Sequence, residues 1–197
     1  DDATYEYIMD KYGTWPISRE IWSKSIEAVE KVNPKFLIFD MLFIKPNLSD
    51  IKGDRAFINT VKNNDNIFLS MNFDNYSDDI RKSQILDDKL KLKITEGTLN
   101  DNDYITFINS RTIMKELIEA TENIGIINVT RDNDGIIRNT TPIFKYKGSY
   151  YPNLSLAVAM KELNKTDLKI KNNNIVIDDN HEIPLDKTQR AILNWYG

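Results

Sequence analysis

The chain has 197 residues, a net charge of −4 and a hydrophobic fraction of 41%, enough apolar material for a normal core in a single domain. With no cysteine and a single histidine, disulfides, thiolate catalysis, Cys-ligated zinc and multi-His metal sites are excluded. The mildly acidic balance and the absence of any basic run argue against nucleic acid or an anionic membrane as the main partner, and no apolar run approaches the ~20 residues that span a bilayer.

The chain opens on Asp1-Asp2 without an initiator methionine and reads as an excised piece of a longer protein. SREIWSKSIEAVEKV (18–32) is amphipathic, with Ile21, Trp22, Ile26, Val29 and Val32 on one face. Ser18 is placed to cap this helix, and Asn33-Pro34 to stop it. KFLIFDMLFI (35–44) is a nearly continuous apolar run, the pattern of a strand buried on both faces. GDRAFINTVKNN predicts a short helix with Phe57, Ile58 and Val61 inward, and NIFLSMNF (66–73) a second buried strand. Helices alternating with strands at this spacing predict βαβ units.

Residues 74–108 are polar and charged, with one alternating patch from Leu90 to Ile94. They read as a long surface excursion. SRTIMKELIEATEN (110–123) predicts a helix and IGIINVT (124–130) a strand. RDNDG then turns the chain into an antiparallel pair, IIRNTTPIFKYKGSYY, with Lys147-Gly148 as a second turn. PNLSLAVAMKEL (152–163) predicts a well-buried helix, followed by short strands on either side of Asn172–Asn174. The expected fold is α/β: one domain over 1–197, a mixed, mostly parallel central sheet flanked by helices, and an antiparallel hairpin around 124–147.

RDNDGIIRNTTP (131–142) packs acids and a glycine together as a calcium loop does. Aligned on Gly135, however, an EF-hand would need its leading ligand at Thr130 and its bidentate glutamate at Thr141. Asp-Gly between two β-rich runs is a hairpin signal instead, with Arg138 placed to pair with Asp132 or Asp134 across the hairpin. His181, in DDNHEIP, reads as a surface turn residue. Asp40 stands out, because a charge inside FLIFDMLF must be paired or lie at the strand end, and open parallel sheets bind ligands outside the carboxyl ends of strands. Capping the amides of the following loop is its alternative role. No P-loop, GxGxxG, GxSxG or HExxH occurs, so no catalytic residue, metal ligand or cofactor is assigned.

Five stretches together resemble the second type of CHASE domain, an extracytoplasmic sensor module of bacterial membrane-bound cyclases, histidine kinases and related receptors. They are Asp1-Asp2 with YGTWPISRE (12–20), FLIFDMLFIKPN (36–47), INVTRDNDGIIRNTTP (127–142), YPNLSLAVA (151–159) and IPLDKTQRAILNWYG (183–197). The chain departs from the family pattern at Ile17, Ser18, Asn47 and Tyr196, while Arg19 is kept. The resemblance implies a non-enzymatic sensory input domain at the extracytoplasmic face of the bacterial cell membrane. It implies a family strand preceding Asp1, a full-length receptor embedded in the membrane and acting as a homodimer, and an unknown small-molecule ligand. It places Asp2 and Asp40 in one crevice at the carboxyl edge of neighbouring strands. Asn128 and Arg138, in the family-like 127–142 run, complete the candidate ligand-binding set. A carboxylate-based hydrolase and a non-signalling adhesive module are the competing readings.

Overall fold

The computed structural model describes residues 2–12, 17–74, 88–99, 106–107, 109–111 and 113–194. Its elements, in chain order, are α1 (Asp2–Tyr12), α2 (Glu20–Glu30), β1 (Leu37–Ile38), α3 (Ile51–Asn63), β2 (Ile67–Asp74), a 3-10 turn (Asp88–Leu90), β3 (Lys93–Glu96), β4 (Thr106–Phe107), β5 (Asn109–Arg111), α4 (Lys115–Ala120), β6 (Ile124–Ile126), β7 (Asn139–Thr140), β8 (Ile143–Tyr146), β9 (Ser149–Pro152), α5 (Leu154–Glu162), β10 (Asp167–Lys171), β11 (Asn174–Asp178), β12 (His181–Pro184) and β13 (Ala191–Ile192). The fold is α/β, as the alternation of patterns predicts.

β2 is the centre of the sheet. It pairs in parallel with β1 (Leu37 opposite Ile67) and with β6 (Leu69 opposite Ile124), and antiparallel with β5 (Asn72 opposite Arg111). Side chains alternate across a strand. Ile67, Leu69, Met71 and Phe73 enter one core with Phe57 and Val61 of α3, Leu117 of α4 and Ile26 of α2. The opposite face meets the start of α5 at Gly125, where a Cβ would stand 2.3 Å from the Leu154 Cα. Only glycine permits that approach. A second apolar cluster joins Leu156 and Met160 of α5 to Leu92, Leu99, Leu168 and Ile175 under the sheet β12–β11–β10–β3.

Several local features follow the sequence closely. Asn153 caps α5 by accepting from the Leu156 N–H at 2.7 Å, and α3 buries Phe57 and Val61 with Ile58 packed alongside. The second expected turn, through Lys147 and Gly148, both at positive φ, is present and joins the antiparallel pair β8–β9, whereas the hairpin expected around 124–147 is not formed, because β6 pairs with β2 instead. Asn172 and Asn173, also at positive φ, turn β10 into β11.

Other features differ from expectation. The apolar run after Lys35 is strand only at β1. It then leaves the sheet and packs as irregular chain, with Phe43 4% exposed and its carbonyl accepting from the Met114 N–H. Ser18 accepts from the Glu20 N–H, but Arg19 occupies the cap position of α2. Val29 and Val32, expected inward, are exposed, and Ser23 is buried in their place. α4 is six residues, because 109–111 is drawn into pairing with β2. β6 joins β2 in parallel, and β7 pairs with β13, so the Asp-Gly turn closes on itself rather than joining two paired strands. Within the excursion 74–108, Leu90, Leu92 and Leu99 are buried in the two cores. Trp15 and Trp195 lie outside the described residues.

Candidate functional site

Asp40 lies two residues beyond β1, at the carboxyl edge of the parallel strands, and is exposed. The chain is held in place just before it. Phe39 N–H donates to the Phe68 carbonyl, and the buried Ser70 hydroxyl donates to the Phe39 carbonyl at 2.5 Å. Beneath the segment, Phe39 meets Trp22, Phe43 and Phe57 edge-on, with centroids about 6 Å apart, the arrangement that ring quadrupoles favour.

The far end of the same segment is clamped by a buried ion pair that sequence reasoning did not identify. Asp54, on α3, accepts from Arg19 at 2.5 Å and from the Asn47 N–H at 2.7 Å. Arg19 also donates to the Lys45 carbonyl at 2.6 Å and lies over the Phe43 ring at 5.5 Å. The side chains of Arg19 and Asp54 are 15% and 6% exposed. A charge so buried persists only when paired and hydrogen-bonded. The signal was available: Asp54 precedes Phe57, Ile58 and Val61 by three, four and seven residues, which places a carboxylate on the inward stripe of α3. Arg19 and the 43–47 segment, both part of the family-like motifs, are thus joined by packing rather than by a ligand. Asp40 is presented between two fixed points.

Asn128, past β6 at the same edge, uses its amide as a substitute for a strand residue. It accepts from the Phe73 N–H and donates to the Phe73 carbonyl, both at 2.7 Å. Arg138 holds the 131–138 turn, bonding Asp134 at 2.7 and 3.0 Å and Asp132 at 3.2 Å. Gly135 N–H closes the turn on the Asp132 carbonyl. The Arg138 guanidinium and the Ile136 N–H hold the Asp134 carboxyl below the usual range. Arg190, beside the last described strand, reaches Asp132 at 3.4 Å. With β13 on β7, this ties the tail to the turn. Asp2 opens α1; its side chain lies outside the described residues. His181 is exposed and bonded to Asp178, as a surface residue would be.

Among the described residues no group of three or more His, Cys, Asp or Glu could hold a metal ion, and no helix is long and apolar enough to cross a membrane. The geometry defines an α/β module with an exposed carboxylate on a pinned segment at one sheet edge and a tail strand tied to a polar turn. The family model of the CHASE2 domain matches residues 1–197, the whole chain. The chain belongs to the CHASE2 family of extracellular sensory domains, whose role is sensory rather than catalytic. No curated protein and no solved structure matches it.

Proposed function

We propose that this domain is the extracytoplasmic input module of a bacterial transmembrane receptor of the cyclase or histidine kinase type, acting as a homodimer. It binds a small molecule or another environmental stimulus and passes a change in packing to adjoining membrane helices. The observation that carries this reading is the match of the entire chain to a family of extracellular sensory domains.

The geometry supports a route for the signal. Asp40 is exposed at the carboxyl edge of the sheet, where α/β folds commonly bind ligands. Its carboxylate suits a cation, an amine or a hydroxyl, and Asp2 is its proposed companion. A ligand drawn to Asp40 strains the 39–47 segment, which Arg19 and Asp54 connect to α2 and α3. At the other end, β13 is paired with β7, so a shift of the 131–138 turn moves the tail. A ligand shifts such an equilibrium only by its differential affinity for the two arrangements. The test is stimulus response in the intact receptor. Asp40→Asn and Asp2→Asn are expected to weaken the response while membrane level and fold are kept. An unchanged response to every active stimulus in both variants removes these carboxylates from the site, and a receptor that responds equally with this domain deleted removes the sensory role.

A further inference from the structure

Away from Asp40, a cleft of about 280 Å³ opens at the amino-terminal ends of β2 and β6. Its floor is apolar: Phe68, Leu90, Leu92, Ile124 and Met160 line it, each at most 9% exposed. Its walls carry four lysines, Lys89, Lys91, Lys161 and Lys165, against one acid, Glu122. That is a formal charge of 4 − 1 = +3 among the lining residues, and of 4 − 3 = +1 once Asp88 and Asp65, paired with Lys91 and Lys161, are counted, on a chain whose total is −4.

Ordinary surface roles do not account for this gathering. Lys161 lies in the last turn of α5, where a cation complements the helix carbonyls, but the other three lie outside that helix. Lys91 pairs with Asp88 at 2.7 Å and Lys161 with Asp65 at 3.6 Å, and these acids are 87% and 94% exposed. Pairs with acids so exposed are weak and exchange readily for another anion. Lys161 and Lys165 are half-buried, so their stems lie along the protein while their ammonium groups reach the rim. The floor draws Leu90 and Ile124 from one core and Leu92 and Met160 from the other.

We propose that this cleft binds an amphipathic organic anion, a carboxylate with a short apolar body, the body on the Phe68–Met160 floor and the charge among the lysines. A ligand so placed bridges the two cores. The proposal rests on the sensor reading only for its consequence in signalling; the binding itself does not depend on it.

The experiment is calorimetric titration of the 197-residue chain with octanoate, with 1-octanol and inorganic phosphate as probes of the body and the charge alone. Octanoate is expected to saturate one site, with affinity falling severalfold between about 20 and about 300 mM salt. Octanol and phosphate are each expected to bind about tenfold more weakly or worse. Lys161→Glu with Lys165→Glu is expected to lower octanoate affinity about tenfold or more, with the fold retained by circular dichroism and only a small loss of thermal stability from the reversed charge at the end of α5, and Ala157→Phe, which crowds the cleft wall, is expected to lower the affinity independently. No saturation by octanoate up to about 10 mM, octanol binding as tightly as octanoate, phosphate binding as tightly as octanoate, or wild-type affinity in both sets of variants each overturns the proposal. Receptor output is not read in these titrations, so a negative result removes this ligand class and leaves the sensory assignment standing.

Discussion

Replacing Asp54 with alanine leaves Arg19 beneath the 43–47 segment without its counter-ion and the Asn47 N–H without its acceptor. A hydrogen bond to a charged group contributes about 1.5–3 kcal/mol, and an orphaned buried donor costs about 1–3 kcal/mol. Together these approach the ~3–5 kcal/mol typical of breaking a buried pair by removing one partner. The Arg19 side chain keeps 15% of its surface exposed, so water partly relieves it and the lower end, about 3 kcal/mol, is expected. For a chain of this size that lowers the melting temperature by about 6–12 °C. The assay is urea and thermal unfolding at neutral pH for Arg19→Ala, Asp54→Ala and the double variant. The cycle should show a coupling of about 1.5–3 kcal/mol, and Arg19→Met with Asp54→Leu should be more stable than Asp54→Ala alone, because it leaves no buried charge unpaired. A loss below about 1 kcal/mol for Asp54→Ala, or additive single effects, refutes the claim that the pair clamps the segment carrying Asp40.

Three further outcomes are expected. Asn128→Ala strips both polar groups of Phe73 of their partners and should cost about 2–3 kcal/mol in urea unfolding, whereas a loss within about 0.5 kcal/mol would show that water replaces the amide. Gly125→Ala drives a methyl into the Leu154 backbone at 2.3 Å and should cost about 1–3 kcal/mol; a crystal structure of that variant should show the start of α5 displaced. The Asp134 carboxyl, held low by Arg138 and the Ile136 N–H, favours the folded turn above the ordinary aspartate pKa. That contribution is lost as pH falls through the lowered folded-state value. Carboxyl NMR should therefore place the Asp134 titration below that of exposed aspartates, and Arg138→Gln should raise it toward the usual range, the Ile136 N–H still holding it somewhat low.

Much of this was legible from local pattern. The inward stripe of α3, the Asn153 cap and the Lys147-Gly148 and Asn172–Asn173 turns each depend on residues within a few positions of one another, so the chain alone specifies them. The joint order of the five family-like stretches likewise carried the CHASE2 assignment, which the whole-length family match shows. Burial without periodicity was less informative. FLIFDMLF is apolar because its aromatic rings pack on α2, α3 and β2, and apolarity alone does not distinguish a strand from a pinned irregular segment. β5 and β6 were decided by β2, whose length offers partners to both.

What the sequence by itself determined is the α/β class, the helices α2, α3 and α5, the turns at 147–148 and 172–173, and the acids and glycine at 131–138 as a turn rather than a calcium loop, because these rest on backbone preference and short-range spacing; α1 was not read from it. What only the tertiary structure decided is where distant charges meet. Arg19 and Asp54 are 35 residues apart, and Lys89 and Lys91 stand some seventy residues from Lys161 and Lys165. No local periodicity encodes such meetings. They follow from which faces β2, α3 and α5 bury against one another, and from the cost of leaving a charge unpaired once they have done so.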